Sequence, residues 1–549
     1  MYKRLFALLL ALVMVFALVA CNKTPDTPSS PNAPSSPAAP SSPGTSSSPA
    51  APSSPGTSSS PGTSSSPAAP SSPSAPKKPV EITVAFNVVP NGLDPLSEDN
   101  TPGMTIANDI YDKLVWIDEE LHYQPNVAKS WKQVDAVTYE IEIDLNLVFH
   151  NGDKLTMDDV VFSIQRLKQI PKVAEIGNFV ESATYSGNTL VLKITSPNAT
   201  TLAKIFDKAI IVNKKYIEAG GDEAVFKKPV GTGPYKVTNF VPGTTCVLEI
   251  WEGYPYAKPQ IDKITYIAIP EDATRYISVE TGNIQYAALV TALEVGLAEK
   301  NKDLTVRRVQ SRRVRGFVFN CEHPVFSNVN VRKAIAYAID RESMCSLLGG
   351  RPPVKNFIFA GYPEWYLENA GMPDYDINKA KQMLEAEGYN AANPLKFSLL
   401  YFFPDPAVEL FQSSLRSIGV EVTLDLVEFS VYLSREAPGD FDMLWTAQTN
   451  RNAHPFTDLD RFDQTLIGSR DISRFKNARA QEIIGIMRAS TNQAELKTLA
   501  DELSRIIASE VPMVGVYLDQ LNSVMDKKLT GVTIRPDTLQ AFRYAVYNG

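Results

Sequence analysis

Histidine and cysteine are scarce in this chain, with four of each among 549 residues. His122, His150, His323 and His454 are too far apart in sequence to form HExxH or a related motif. A zinc or nickel site built from protein imidazoles is therefore not expected. Cys21, Cys246, Cys321 and Cys345 share no CxxC or similar spacing, which removes the support for a thiolate metal cage or a redox pair. No GxSxG elbow occurs, and Gly231-Thr232-Gly233-Pro234 lacks both the GxxxxGK spacing and the lysine of a phosphate loop; its Gly and Pro fix a turn instead. Carboxylates are abundant, but no pair stands out as the acid couple of a glycosidase. Positive charge is also short: after residue 78 the chain has 48 basic and 60 acidic residues, a balance of −12. Such a body should repel nucleic acid and anionic lipid heads.

Long apolar runs are missing too, except at the N-terminus, where Lys3 and Arg4 precede an apolar stretch from Leu5 to Ala20. It is too short for a stable transmembrane span and suits a secretory signal, residues 1–20. The run ends Leu18-Val19-Ala20-Cys21, which resembles the bacterial lipobox. In that motif the cysteine thiol receives a diacylglyceryl group and becomes the mature N-terminus, so Cys21 is the expected lipid attachment site. Residues 22–78 are almost wholly Ser, Pro, Ala, Gly and Thr, with the near-repeat SSPGTSSSPAAP at 41–52. That composition cannot bury a core and reads as a disordered tether. As a flexible coil it would average roughly 40 Å end to end, and as extended polyproline reach about 170 Å. With Cys21 used by the anchor, three cysteines remain and allow at most one disulfide.

The body has 44% apolar and 21% charged residues in the chain as a whole, an ordinary globular composition, and its length predicts two or three lobes. Glu81-Ile82-Thr83-Val84-Ala85-Phe86 alternates as a half-buried strand does. Tyr139, Ile141, Ile143, Leu145 and Leu147 alternate with polar residues as an antiparallel strand with one wet face. Thr156 and Asp159 have capping-box spacing and open a helix with Val160, Ile164 and Leu167 on one side. NVRKAIAYAIDRE, DINKAKQMLEAEGY and AVELFQSSLRSIG read as helices and VEVTLDLVEF as a strand, a mixed α/β pattern.

Seven segments, in order, then resemble one family. They are NGLDP at 91–95, YDKLVWID at 111–118, QPNVAKSW at 124–131, FHNGDKLTMDDVVFS at 149–163, PVGTGPYKV at 229–237, FNCEHPVFSNVNVRKAIAYAIDRE at 319–342 and AKQMLEAEGY at 380–389. Together they resemble the extracellular solute-binding proteins of ABC importers, of the oligopeptide, dipeptide and nickel type. The resemblance implies an α/β fold, the two-lobed type II periplasmic-binding-protein clamshell with an additional inserted lobe. Lobe I would comprise 79–123, 229–315 and 515–549, the inserted lobe 124–228, and lobe II 316–514. It also implies a monomeric, non-enzymatic receptor without a cofactor or resident metal. Such a receptor is held by its lipid at the outer face of the cytoplasmic membrane, facing the cell wall or periplasm, and hands a small solute to an ABC permease. A sensory or adhesive lipoprotein on the same fold is the alternative, and a secreted hydrolase the least supported one.

In peptide-binding members of that family a loop after a Phe-Asp pair carries an acid for the ligand's α-amino group. The corresponding loop here is FDMLWTAQTNRNAHP, from Phe441 to Pro455, and a gapless match puts Arg451 at the acidic position. A guanidinium there would repel an ammonium and offer a planar fork to carboxylate, phosphate or sulfate. In SRRVRGFVFN, extended geometry places Arg313, Arg315, Phe317 and Phe319 on one face, so Arg313, Arg315 and Arg451 are expected to form an anion clamp. Trp445, Gln448, Tyr517 and Asn87 are further ligand-binding candidates, because the family uses those regions for stacking and backbone contacts. The solute is then a short peptide, the family's default, or an anionic small molecule. Arg451→Asp is expected to abolish binding of an acid in a thermal-shift assay; unchanged affinity would remove Arg451 from the site.

Overall fold

The computed structural model describes residues 78–549, apart from 98–99, 199, 450–453 and 491 and the side chains of 221–226. The signal, Cys21, the tether and Arg451 lie outside the described residues.

A ten-stranded mixed sheet organises the body. Its centre is a pair of long antiparallel strands, Leu304–Phe319 and Met513–Asp526. On one side the sheet continues through Tyr286–Ala287, Glu81–Phe86, Lys263–Ala268, Thr245–Ile250 and Tyr235–Val241. On the other it continues through Met443–Thr449, Lys396–Tyr401 and Glu421–Leu426. Glu81–Phe86 runs parallel to both its neighbours, as does Lys396–Tyr401. Parallel neighbours need helical crossovers, and these cover both faces of the sheet. That is why Ala85 is as deeply buried as Val84 and Phe86, where simple alternation predicts a wet side chain.

Several buried clusters pack against this frame. Ile82, Val84 and Phe86 join Leu521 and Met525, while Phe317 and Phe319 join Val514, Val516 and Trp445. A separate four-stranded antiparallel sheet has the order Ala128–Gln133, Thr138–Ile143, Thr189–Ile194 and Val180–Ser186. It buries Tyr139, Ile141 and Ile143 with Val160 and Ile164, a cluster that also takes in Leu96, Leu114 and Val115. The expected strand stops at Ile143, short of Leu147, because the Asp144 carboxylate turns back to accept the amide of Asn146 at 3.1 Å. The capping box is present: the Thr156 hydroxyl accepts the Asp159 amide at 3.3 Å, Asp159 Oδ2 accepts the Thr156 amide at 2.9 Å, and the helix runs Met157–Arg166. Helices also form at Val329–Tyr337, Ile377–Ala386 and Pro406–Arg416, and a strand at Glu421–Leu426. Cys246, Cys321 and Cys345 are separate free thiols, so the one disulfide that the count allowed is not formed.

The segments that looked most distinctive in sequence are joints of this frame. Asp94 of NGLDP accepts two bonds from Arg166, at 3.2 and 2.8 Å, with both side chains buried. Asp112 of YDKLVWID accepts from Arg543 at 3.0 Å and from Thr232 of the GTGP turn at 3.2 Å. His150 of FHNGD accepts the Gly231 amide through Nδ1 at 3.3 Å and meets the Gly233 carbonyl through Nε2 at 3.0 Å. That pairing selects the neutral Nε2–H tautomer, and burial holds the ring's pKa at about 4.

The GTGP turn lies against the backbone of Ile110. Gly233 donates to the Ile110 carbonyl at 2.9 Å, and a Cβ at Gly233 would come within 2.6 Å of the Ile110 carbonyl carbon. Gly233→Ala is expected to cost about 1–3 kcal/mol in denaturant unfolding, because only backbone movement can relieve the overlap.

Candidate functional site

The strand Met443–Thr449 pairs with Leu304–Phe319 along its whole length but with Lys396–Tyr401 only at Met443 and Leu444, so beyond Leu444 one of its edges has no strand beside it among the described residues. Beside it the register of the two long strands shifts between Gln310 and Val314 and again between Arg315 and Gly316. At this broken edge lies a cavity of about 410 Å³, within the ordinary range for small-molecule sites. Its walls include Lys204, Asp207, Leu433, Gln448, Thr449 and Arg461.

Two of the expected ligands lie next to this cavity, behind Ala447 and Thr449 of its wall. Arg313 and Arg315 stand opposite Thr449 and Ala447 across the strand pair, and directly opposed residues share a face. Arg313 Nε donates to Thr449 Oγ1 at 2.9 Å. Arg315 Nε donates to Asp519 Oδ2 at 2.9 Å, and its guanidinium lies over the Phe403 ring at 4.1 Å. Arg351 also bonds to Asp519, and its guanidinium sits 5.2 Å from the Tyr517 ring. Burial works against the charge of Arg315, but Asp519, Tyr517 and Asp405 outweigh it and raise the pKa above the usual guanidinium value.

The remaining candidates have different surroundings. Trp445 is fully buried, packed on Phe317 at 4.7 Å between ring centroids, with Nε1 donating to Asp405 Oδ2 at 3.1 Å. Tyr517 is buried and donates to the same oxygen at 3.1 Å. Both rings therefore wall the cluster from the core side. Gln448 Oε1 accepts from Arg461 at 2.6 Å, which turns its amide toward the cavity floor. Asn87 is exposed at the end of Glu81–Phe86, with three strands of the sheet between it and Met443–Thr449.

Asp519, Arg351, Phe403, Lys204 and Asp460 were missed in the sequence. Asp519 had a signal, since strand alternation puts it on the face of Tyr517. Lys204 had none: it sits in the helix Thr201–Lys208, packed in the body of the four-stranded sheet, and donates across to Asp460 at 2.6 Å. Arg488 holds the other oxygen of Asp460 at 2.6 Å, and Arg470 reaches Glu175 at 2.9 Å. These pairs tie the four-stranded body to the cavity's other wall.

Burial drives the Cys246 and Cys321 thiols up to about 12 and Cys345 to about 11, far from reactive thiolates. Among the described residues one trio, Asp118, Glu120 and His122, brings ligand atoms within 4.8 Å of one another. Asp118 is already engaged by the amides of Glu120 and His122 and by Gln124. No helix of the described residues is long and apolar enough to cross a membrane.

Comparison with known proteins bears on the family and the fold. Residues 122–468 match the bacterial extracellular solute-binding proteins, family 5 Middle. The oligopeptide-binding protein AppA of Bacillus subtilis is 26% identical over 472 residues, covering 78% of this chain and 84% of AppA. Heme-binding protein A of Haemophilus influenzae is 24% identical, covering 82% of this chain and 90% of its own length. The crystal structure of a dipeptide-binding protein from Pseudoalteromonas sp. SM9913 in complex with Met-Leu superposes with a TM-score of 0.78 at 19% identity, covering 85% of this chain and 100% of that one.

His454 caps the 3-10 turn Pro455–Phe462, whose Thr457, Asp460 and Arg461 line the cavity. Its Nδ1 accepts the Phe456 amide at 3.2 Å, and burial lowers its pKa to about 4 from 6.5. The unfolded chain therefore binds this proton at a higher pH than the folded one, so the ring's contribution is intact above pH 6.5 and lost as pH falls toward 4. His454→Asn keeps the cap without the titration. Its stability relative to the parent chain is expected to rise between pH 6.5 and 4 in parallel thermal melts; a pH-independent difference would place His454 in water.

Proposed function

The chain belongs to the bacterial extracellular solute-binding proteins of family 5 and has the mixed α/β fold of type II periplasmic binding proteins, and on that premise we propose that it is a lipid-anchored receptor that captures a small solute and delivers it to an ABC permease. The observation that carries the reading is the cavity along the edge of Met443–Thr449 that Lys396–Tyr401 does not cover, next to the register shifts of the two long strands.

The lobes proposed are 79–123 with 229–315 and 515–549, an inserted lobe 124–228, and 316–514. The buried clusters around Phe86, Ile141 and Phe317 support three lobes, with Leu96, Leu114 and Val115 packed into the second, Ile210, Val212 and Ile217 into the first and Val516 and Tyr517 into the third, and the border at 315/316 coincides with a register shift. Only the two long strands bond one half of the ten-stranded sheet to the other, so bending between Gln310 and Gly316 would open the cavity. Anchoring rests on Lys3, Arg4, the apolar run and Cys21, which would hold the monomer outside the cytoplasmic membrane. The solute class rests on the relatives: AppA is named for oligopeptides and the dipeptide-binding protein holds Met-Leu, which makes a short peptide the default. The candidate contacts are Arg313, Arg315, Gln448 and Arg451, with Trp445 and Tyr517 as walls and Asn87 on the facing lobe.

A matching solute should raise the melting temperature, shrink the radius of gyration in small-angle scattering, and be recovered unchanged. Recovery of a product in its place would end the receptor reading. Cys21→Ala should shift the protein from the membrane fraction to the medium while its melting temperature stays the same.

A further inference from the structure

Four acids and four cations line the cavity beside Met443–Thr449, and the acids are not equally served. Asp460 takes Lys204 at 2.6 Å, Asp207 takes Lys208 at 3.4 Å, and Glu175 takes Arg470 at 2.9 Å. The fourth cation, Arg461, is bonded to Asp458 at 3.2 Å. The fourth acid, Glu436, makes no ion pair among the described residues. Its carboxylate accepts from the Tyr432 hydroxyl at 2.9 Å. Arg435, next to it in the chain, is held by Asp425 at 2.6 Å and Asp440 at 3.2 Å. Arg313, behind the cavity wall, turns to Thr449 and toward Asp519.

The position of this carboxylate makes its charge costly to leave unmatched. Glu436 ends the helix Phe429–Glu436, where the last carbonyls present the negative end of the helix dipole, an end that favours cations. The residue is half-buried, and burial raises its carboxyl above the usual glutamate range by more than the Tyr432 bond lowers it. Tyr432 is itself buried and packed on Phe402 at 4.8 Å between ring centroids, so it fixes where the carboxylate sits. Leu433 lies one turn back on the same helix face, is exposed, and lines the same cavity. An acid with an apolar strip beside it is matched by an aliphatic stem that ends in a cation.

We propose that Glu436 is a docking point for the solute, pairing with an ammonium or guanidinium whose aliphatic stem lies along Leu433. The inference rests on the receptor reading and gives the solute at least one positive charge. The contact is separate from the acid that peptide-binding members of the family carry after their Phe-Asp pair. Glu436 comes from the helix before Phe441, not from the loop between Phe441 and Pro455. The ion pair that the other three cavity acids make within the protein is completed at Glu436 by the solute.

The test uses the full chain and probes that all keep the same C-terminal acid: Met-Leu, N-acetyl-Met-Leu, N-acetyl-Lys-Leu and N-acetyl-norleucyl-Leu, each also lengthened by a run of alanines. Met-Leu carries its cation on the α-nitrogen and N-acetyl-Lys-Leu on the side chain, while the other two have the stem alone. Calorimetry should give a cationic probe at least about tenfold higher affinity than its neutral counterpart, since a bond to a charged group separates them. Which of the two cationic probes gains identifies the source of the charge. Glu436→Gln keeps an acceptor for Tyr432 and should remove that advantage while the neutral probes bind as before. A purely structural role predicts equal losses for cationic and neutral probes. Glu436→Asp, which keeps the charge, should retain the preference, and the unliganded melting temperatures of both variants control for misfolding. Equal affinity of cationic and neutral probes, a preference that survives Glu436→Gln, or binding of none of the probes would overturn the proposal. Stoichiometric binding of a neutral or acidic solute with compaction would then leave the receptor reading standing, while absence of binding and of compaction across neutral, cationic and acidic solutes would remove both.

Discussion

One pair of antiparallel strands, Leu304–Phe319 against Met513–Asp526, joins the two halves of the ten-stranded sheet. The ladder is continuous from Leu304 to Gln310 and again from Gly316 to Val318, and between them it slips twice. Ser311 and Gln310 spend their side chains on the Asp519 carbonyl, at 2.8 and 2.9 Å, in place of regular backbone pairing. Gly316 lies so close to the Val514 carbonyl that no larger residue fits without moving the strands. A bulge concentrates twist and bending at the point where ladder bonds are missing. On either side the strands are fixed into different apolar clusters, Val309 with Leu521 and Phe317 with Val514. The frame is thus stiff at its two ends and compliant in a few residues at its middle.

What the sequence made legible was the stiff part. Glu81–Phe86, the Thr156 capping box and the amphipathic helices carry local patterns that burial or capping enforces, so these elements form where the pattern puts them, even though Ala85 is buried against the alternation. The motifs that marked the family are legible for a related reason. Asp94 with Arg166, Asp112 with Arg543, and His150 between Gly231 and Gly233 are buried polar joints. Removing one partner of such a pair strands a charge or a dipole in a dry interior, which costs far more than the pair contributes. These residues are consequently tied to the fold, and they say nothing about the solute.

The site was only half legible, because its members come from separate elements. Alternation placed Arg313 and Arg315 on one face, and they meet at the cavity edge. The same alternation along Met513–Asp526 sets Asp519 beside them, but a single acid in an acidic chain carries no pattern of its own. Trp445 illustrates the opposite error: an aromatic at the right place in the chain is fully buried against Phe317. Lys204 and Asp460 are 256 positions apart and meet only because the four-stranded body folds back onto the cavity wall. No local period encodes a contact at that separation.

Placing the register shifts beside a buried cross-link has a mechanical consequence. Lys204 and Asp460 are both buried and joined at 2.6 Å, and Arg488 holds the other oxygen of Asp460 at 2.6 Å, so the four-stranded body is tied to the wall opposite it by charge that water screens poorly. Bending of the long strands between Gln310 and Gly316 would have to part that bond and wet both ions, which recovers in hydration part of what it loses in attraction. A ligand shifts such an equilibrium only by its difference in affinity for the two states. A solute held between these walls would therefore add its own contacts to a bond the protein already makes, and the strength of the Lys204–Asp460 pair sets how much the solute must supply.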